Sequence, residues 1–259
     1  MSDNFDQSVS LIGAGRVATS LAHALSANGV KVNEIYSRSL AQAKKLADSI
    51  SGTIATDSLD FSRSKSQILI IAISDDAIGQ VSENITFPED IIMAHTSGTV
   101  SLGVLRHPHS GIFYPLQTFT ENKKVDFRHV PILIDGKDDL MTNELLKLGK
   151  LLSNDVQVTT ESERQQLHVA AVFASNFTNR MLAAAEDILK GTSVDLKTLK
   201  PLVLESIQNA FDSTPDQALT GPAKRGDTKT IKKHLESLQE NQELQSLYEA
   251  ITKMITSKT

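Results

Sequence analysis

Two stretches of this 259-residue chain carry residue types and spacings that suit chemistry. The first is VSLIGAGRVA, residues 9–18, where an apolar run breaks into Gly13-Ala14-Gly15 and continues as Arg16-Val17-Ala18. In a G-x-G-x-x-A turn the first glycine makes the tight bend and the second lets a pyrophosphate approach the backbone. The small third residue lets the following helix pack on the strand, and that helix presents free N–H groups at its N-terminus. The alternative is a glycine-rich turn without a ligand; strand–turn–helix context favours the binding turn.

The second predicted strand ends in Tyr36-Ser37-Arg38-Ser39, with no acid where an NAD site places one for the ribose hydroxyls. An arginine flanked by two hydroxyls suits a 2′-phosphate, so NADP is the expected cofactor. The competing reading makes Arg38 a solvated surface residue. Further strands end in Ile73-Ser74-Asp75-Asp76 and His95-Thr96-Ser97-Gly98. Carboxyl ends of strands line the crevice of an open α/β sheet, which makes Ser74 and His95 candidate cofactor contacts and Ser97 a candidate substrate contact. Capping the next helix is the expected role of Asp75 or Asp76. His95 reads equally well as a capping neighbour.

The second stretch is HVAAVFASNFTN, residues 168–179. At about 100° per residue, His168, Val172, Ser175 and Asn179 share a helix face, with Asn176 to one side. Such a stripe faces either a buried polar network or a polar cleft. In the latter case His168 is the first candidate proton donor, supported by Ser175 and Asn176, with His95 second. Downstream, LTGPAKRGD at 219–227 joins a Gly-Pro turn to two cations. It could present Thr220 and Arg225 to an anionic substrate, or be a solvated interhelical loop.

These residues need elements to hold them. Short β-branched runs at 9–12, 32–36, 68–73, 91–95, 111–116 and 131–135 read as strands, and 16–27, 40–49 and 76–84 as helices between the early ones. Apolar strands alternating with helices predict an α/β, Rossmann-type doubly wound, mainly parallel sheet. From about Ser162 the pattern is helical: 162–190 closed by Gly191, then 196–211, 228–240 and 242–255, with Asp195 and Asp227 as expected N-caps. Residues 1–158 are thus expected to form a nucleotide-binding domain, and 159–259 an all-helical substrate and dimerisation domain.

Composition sets the bounds. With 40% hydrophobic residues, 22% charged residues and a net charge of −5 that comes without any basic block, nothing suggests a nucleic-acid or membrane partner. The absence of cysteine excludes disulfides, thiolate nucleophiles and Cys-ligated zinc, and no metal site is expected. The acidic start MSDNFDQ has no basic region before a long apolar stretch, so a cytoplasmic location without a targeting signal is expected.

Taken together, GAGRVA, YSRS, SDDAI, HTSG, PLQTF (115–119), LHVAAVFASN (167–176) and LTGPAKRGD (219–227) give the chain a family resemblance. It resembles a family of Rossmann-like proteins assigned as NADP oxidoreductases, with a helical C-terminal domain of unknown function. That family is related to pyrroline-5-carboxylate reductase and to deazaflavin-dependent NADP reductases, within the 6-phosphogluconate dehydrogenase-like superfamily. The resemblance implies a homodimer formed through the C-terminal helices and an active site between the two domains. Superfamily members often use a lysine or asparagine on the long helix. Here that helix offers His168, Ser175 and Asn176 but no lysine before Lys190, which argues against a lysine-dependent hydroxyacid mechanism.

The expectation is therefore an NADP(H)-dependent oxidoreductase moving a hydride to or from a small carbonyl or imine substrate. A non-catalytic dinucleotide-binding regulator or scaffold, and a deazaflavin:NADP reductase, are the alternatives.

Overall fold

The structure, a computed structural model, describes residues 8–121 and 124–257; the MSDNFDQ segment lies outside them. The chain divides into two compact units, Met1–Phe173 and Ala174–Thr259.

The first unit is built on one eight-stranded sheet: β1 (Ser8–Ile12), β2 (Lys31–Tyr36), β3 (Ile54–Thr56), β4 (Ile68–Ile71), β5 (Ile92–His95), β6 (Ser110–Pro115), β7 (Ile132–Gly136) and β8 (Val156–Val158). Their order is β3-β2-β1-β4-β5-β6-β7-β8, and the order reverses between β1 and β4. Every pair is parallel except β6 with β7. This is the doubly wound arrangement expected, extended at one edge.

Alternation along the strands sends side chains to two faces. Leu11, Ile70, Ala94 and Phe113 pack on one, with Leu21 and Leu25 of α1 (Arg16–Ala27) and Leu145 and Leu148 of α4 (Asp139–Leu152). Ile12, Ile71 and Met93 pack on the other, with Ile78 of α3 (Asp75–Asn84). Burying each such side chain is worth about 1.5–3 kcal/mol. A row of paired residues crosses this second face: Ile12, Ile71, His95, Ile112 and Asp135. His95 and Asp135 bring polar groups into the half of this row nearer the antiparallel pair, and α5 (Glu161–Ala171) bonds to its Asp135 end. There Arg164, wholly buried, donates to the Asp135 carboxylate at 2.9 Å.

The structure adds β3, β8, α4 and a short helix over Pro215–Ala218 to the elements expected from sequence and ends β4 at Ile71 rather than residue 73. The long helix begins with Thr160 and Glu163 in a reciprocal capping box. It is not uniform: α5 passes into a π-helical segment, Val172–Phe177, before α6 (Thr178–Leu189). An i→i+5 turn is wider than an α turn, so the 100° arithmetic that grouped His168 with Ser175 and Asn179 fails beyond Val172.

In the second unit, α6 is followed by Gly191 at φ +82°, as expected of a helix C-terminus. Then come α7 (Lys200–Asp212), α8 (Pro215–Ala218), α9 (Thr228–Ser237) and α10 (Gln242–Thr256). Asp195 caps a short 3₁₀ turn before α7 by accepting from Lys197 N–H, and Asp227 caps α9 by accepting from Thr230 N–H. No strand occurs among the unit's described residues, and no described helix of the chain is long and apolar enough to cross a membrane.

Candidate functional site

The glycine turn sits at the carboxyl end of β1, beside the reversal of strand order, where open α/β sheets bind ligands. Gly13 has φ +124°, and a Cβ there would fall 2.3 Å from the Ala72 carbonyl oxygen, so no other residue fits. Gly15 is the N-cap of α1 in extended conformation and makes no side-chain cap bond. A Cβ on Gly15 would meet nothing within 4 Å, so its backbone borders open space. The first turn of α1 carries no acid, and exposed Arg16 opens it, while buried Ala18 lets the helix lie close to the sheet. Uncapped N–H groups, an adjacent cation and open space together make a cradle fit for a pyrophosphate. Ala14 and Val17, both half-buried, pack against the core below.

Gly13 N–H donates to the Tyr36 carbonyl at 2.8 Å, which ties the cradle to the loop carrying Ser37, Arg38 and Ser39. Arg38 is exposed and forms no ion pair among the described residues. The two serines are partly engaged: Ser37 Oγ accepts from Ser39 N–H, and Ser39 Oγ caps α2 (Leu40–Ala47). Arg38 is therefore, with Arg16, a charge free of ion pairs among the described residues, and its place after β2 suits a 2′-phosphate.

The next two strand ends behave differently from expectation. Ser74 is the N-cap of α3 but makes no cap bond with its side chain. Asp75 does not cap either; its carboxylate accepts from the Thr99 hydroxyl at 2.7 Å, joining the loops after β4 and β5. His95 is wholly buried, so its ring presents no surface to a cofactor. Its Nδ1 accepts from Ser97 N–H at 3.1 Å, which leaves the proton on Nε2. Burial lowers its pKa to about 4, helped by the Arg164 charge. The Ser101 carbonyl and the Asp75 and Glu161 carboxylates oppose that shift. Ser97 is buried as well, and its Oγ accepts from Thr99 and Val100 N–H groups. Both residues shape the turn after β5 from within, because a turn leaving a buried strand must satisfy its N–H groups locally.

The α5 face reads that turn residue by residue. Glu161 accepts from Ser101 Oγ, Arg164 donates to Val100 O, and Gln165 donates to Thr99 O. One further turn along, His168 meets Gly98: a Cβ at Gly98 would lie 2.7 Å from His168 Nδ1 and 2.8 Å from the Tyr114 ring. Tyr114 Oη and His168 Nδ1 are 2.9 Å apart. Burial, and secondarily the Asp75 carboxylate, raise the Tyr114 pKa above its ordinary value, so this phenol stays protonated. Tyr114, Arg164 and Gln165 were not among the sequence candidates. The available signals were a tyrosine at the end of a strand and an arginine one helical turn before His168.

In the second unit, Ser175 is half-buried and Asn176 exposed on the π segment. Thr220 and Arg225 are exposed in the turn between α8 and α9, which bends at Gly221 and Gly226 with positive φ.

The fold and cradle define a Rossmann-like α/β protein with a helical second half. Residues 4–115 match the Rossmann-like domain family, and residues 130–255 match a domain of unknown function (DUF2520). A Bacteroides fragilis structure described as a "putative NADP oxidoreductase" is 33% identical, covers 97% of this chain and 98% of its own, and superposes with a TM-score of 0.89. The chain therefore belongs to that family. Lower likenesses extend the fold alone. An Aspergillus terreus reductive aminase solved with NADPH and ethyl-5-oxohexanoate is 12% identical over 97% of this chain and 94% of that one, with TM-score 0.75. A Coxiella burnetii pyrroline-5-carboxylate reductase is 15% identical over 97% and 98%, with TM-score 0.57. No curated protein sequence matches.

Proposed function

We propose that the protein is an NADP(H)-dependent oxidoreductase acting on a small carbonyl or imine substrate. The observation that carries this reading is the Gly13–Gly15 cradle, whose first glycine is required by the 2.3 Å approach to Ala72 O. Arg38, in no ion pair among the described residues, favours NADP over NAD. The assignment of the Bacteroides fragilis relative, and the nucleotide in the more distant reductive aminase, support it.

Gly13, Ala14, Gly15 and Arg16 would hold the pyrophosphate, Arg38 with Ser37 and Ser39 the 2′-phosphate, and Ser74 would border the crevice. Bound there, the nicotinamide supplies or takes up a hydride. The chain's own contribution is orientation, exclusion of water and a positioned proton at His168. Thr220 and Arg225 are the proposed anion contacts of the substrate, with Ser175 and Asn176 as supporting groups. The protein is further proposed to act as a cytoplasmic homodimer through its C-terminal helices. Leu204, Ile207 and Phe211 make an exposed apolar stripe at i, i+3 and i+7 on α7, a pattern that calls for an apolar partner.

Deuterium transfer from labelled NADPH to a cyclic imine or ketone probe tests the activity. Label in the product supports an oxidoreductase. Tight NADPH binding with no transfer to any probe would favour a regulator or scaffold.

A further inference from the structure

We infer that Tyr114 is the group that protonates the substrate's carbonyl oxygen or imine nitrogen, with His168 as the positioning residue that holds it and restores its proton. This rests on the NADP reading above and adds to it a catalytic residue on β6, outside the nucleotide fingerprint.

The placement follows from the sheet. A dinucleotide at the strand-order reversal spans it, one half on each side. Arg38 follows β2, so a dinucleotide held there would put its adenosine half on the β2 side and its nicotinamide half on the side of β4, β5 and β6. At about 4.8 Å per strand, β6 is roughly 14 Å from β1. Tyr114 lies two residues beyond Ile112, which pairs with the last residue of β5, so it projects about 7 Å past the end of that strand.

The dyad is held from three sides. Gly98 leaves room for the contact, α5 is bolted to the same turn through Arg164 and Gln165, and Nδ1 of His168 faces the phenol at 2.9 Å. Suppose Nδ1 carries the hydrogen. The imidazole then donates to Tyr114 Oη, and the phenolic proton is left to point at a ligand. When the C=O or C=N carbon gains a hydride, its π pair moves to the heteroatom. That heteroatom takes the phenolic proton as the O–H bond breaks. The phenolate takes the Nδ1 proton, and Nε2 takes one from solvent. Each transfer moves one proton; Tyr114 ends as the phenol and His168 as the Nε2–H tautomer, and exchange of the imidazole hydrogen with solvent returns it to Nδ1 before the next turnover. The raised Tyr114 pKa keeps the donor loaded until a strong base develops.

The test is nuclear magnetic resonance of the full chain with isotope-labelled histidine, titrated with NADP⁺ and separately with 2′,5′-ADP, which lacks the nicotinamide. His168→Gln identifies the His168 signal. The expected result is an Nδ1–H tautomer for His168 that reverts to the ordinary mixture in Tyr114→Phe, and a signal that moves with NADP⁺ but not with 2′,5′-ADP. An Nε2–H tautomer would overturn the proposal, because Tyr114 would then spend its proton on His168. NADP⁺ binding that leaves the His168 signal unmoved would overturn it too, with the cofactor reading intact. Failure of both nucleotides to bind would remove the cofactor reading and this proposal with it, whatever the tautomer. With a reducible probe, Tyr114→Phe is expected to lose 100-fold or more in turnover at unchanged NADPH affinity.

Discussion

Arg164 and Asp135 form an ion pair at 2.9 Å in which the guanidinium is wholly buried and the carboxylate only partly exposed. Arg164 lies one helical turn before His168, and its second Nη donates to the Val100 carbonyl. The pair thus fixes α5 to β7, the strand antiparallel to β6, and to the turn after β5 together. Breaking a buried pair from one side strands a charge, at about 3–5 kcal/mol. Arg164→Met is expected to lose that much in urea unfolding. Adding Asp135→Asn to it is expected to recover part of the loss, and additive effects would contradict the coupling.

Gly98→Ala is a second probe of the same region, because it alters neither member of the dyad. The new methyl would sit 2.7 Å from His168 Nδ1 and 2.8 Å from the Tyr114 ring, so the two must separate. Overpacking of this kind costs roughly 1–3 kcal/mol. The expected outcome is a folded protein of reduced stability whose His168 resonance resembles that of Tyr114→Phe. An unchanged resonance would show that the contact is not limited by Gly98.

His95 makes stability depend on pH. Its pKa is about 4 in the folded state against 6.5 when exposed, so the unfolded chain binds the extra proton first. Stability is then full above the unfolded value and falls as pH drops from about 6.5 to about 4, by roughly 3 kcal/mol in total. His95→Asn keeps an acceptor near Ser97 N–H and removes the titration. Unfolding free energies measured across that window are expected to slope in the native protein and to flatten in the variant.

The stripe on α7 gives the oligomer prediction. Phe211, 84% exposed, stands at its end. Phe211→Asp is expected to convert a dimer to a monomer in analytical ultracentrifugation, with unchanged nucleotide binding. A native protein that sediments as a monomer would contradict the dimer outright.

How much of this was legible in the sequence varies with the physics. The helix at Arg16–Ala27 and six of the strands could be read to within two residues, because buried parallel strands are continuous apolar runs between glycine turns. β3 and β8 are three residues long and partly exposed, too short for periodicity to register. The glycine turn is local in sequence, so its strand–turn–helix context could be read directly. Tyr114 and His168 are 54 residues apart, and no spacing rule links a strand end to a later helix. His95 misled for a related reason. A strand's last residue is at the rim, but alternation sent its ring to the covered face, where α5 bonds to the adjoining turn.

The central claim is that the Gly13–Gly15 cradle and Arg38 hold NADP. Side-by-side fluorescence titrations with NADPH and NADH, on the native protein and Arg38→Ala, test it most directly. The account predicts tight NADPH binding that weakens roughly ten- to a hundredfold in the variant, towards the NADH value. Failure of both nucleotides to bind the native protein, or equal affinity for the two in native and variant alike, would contradict it.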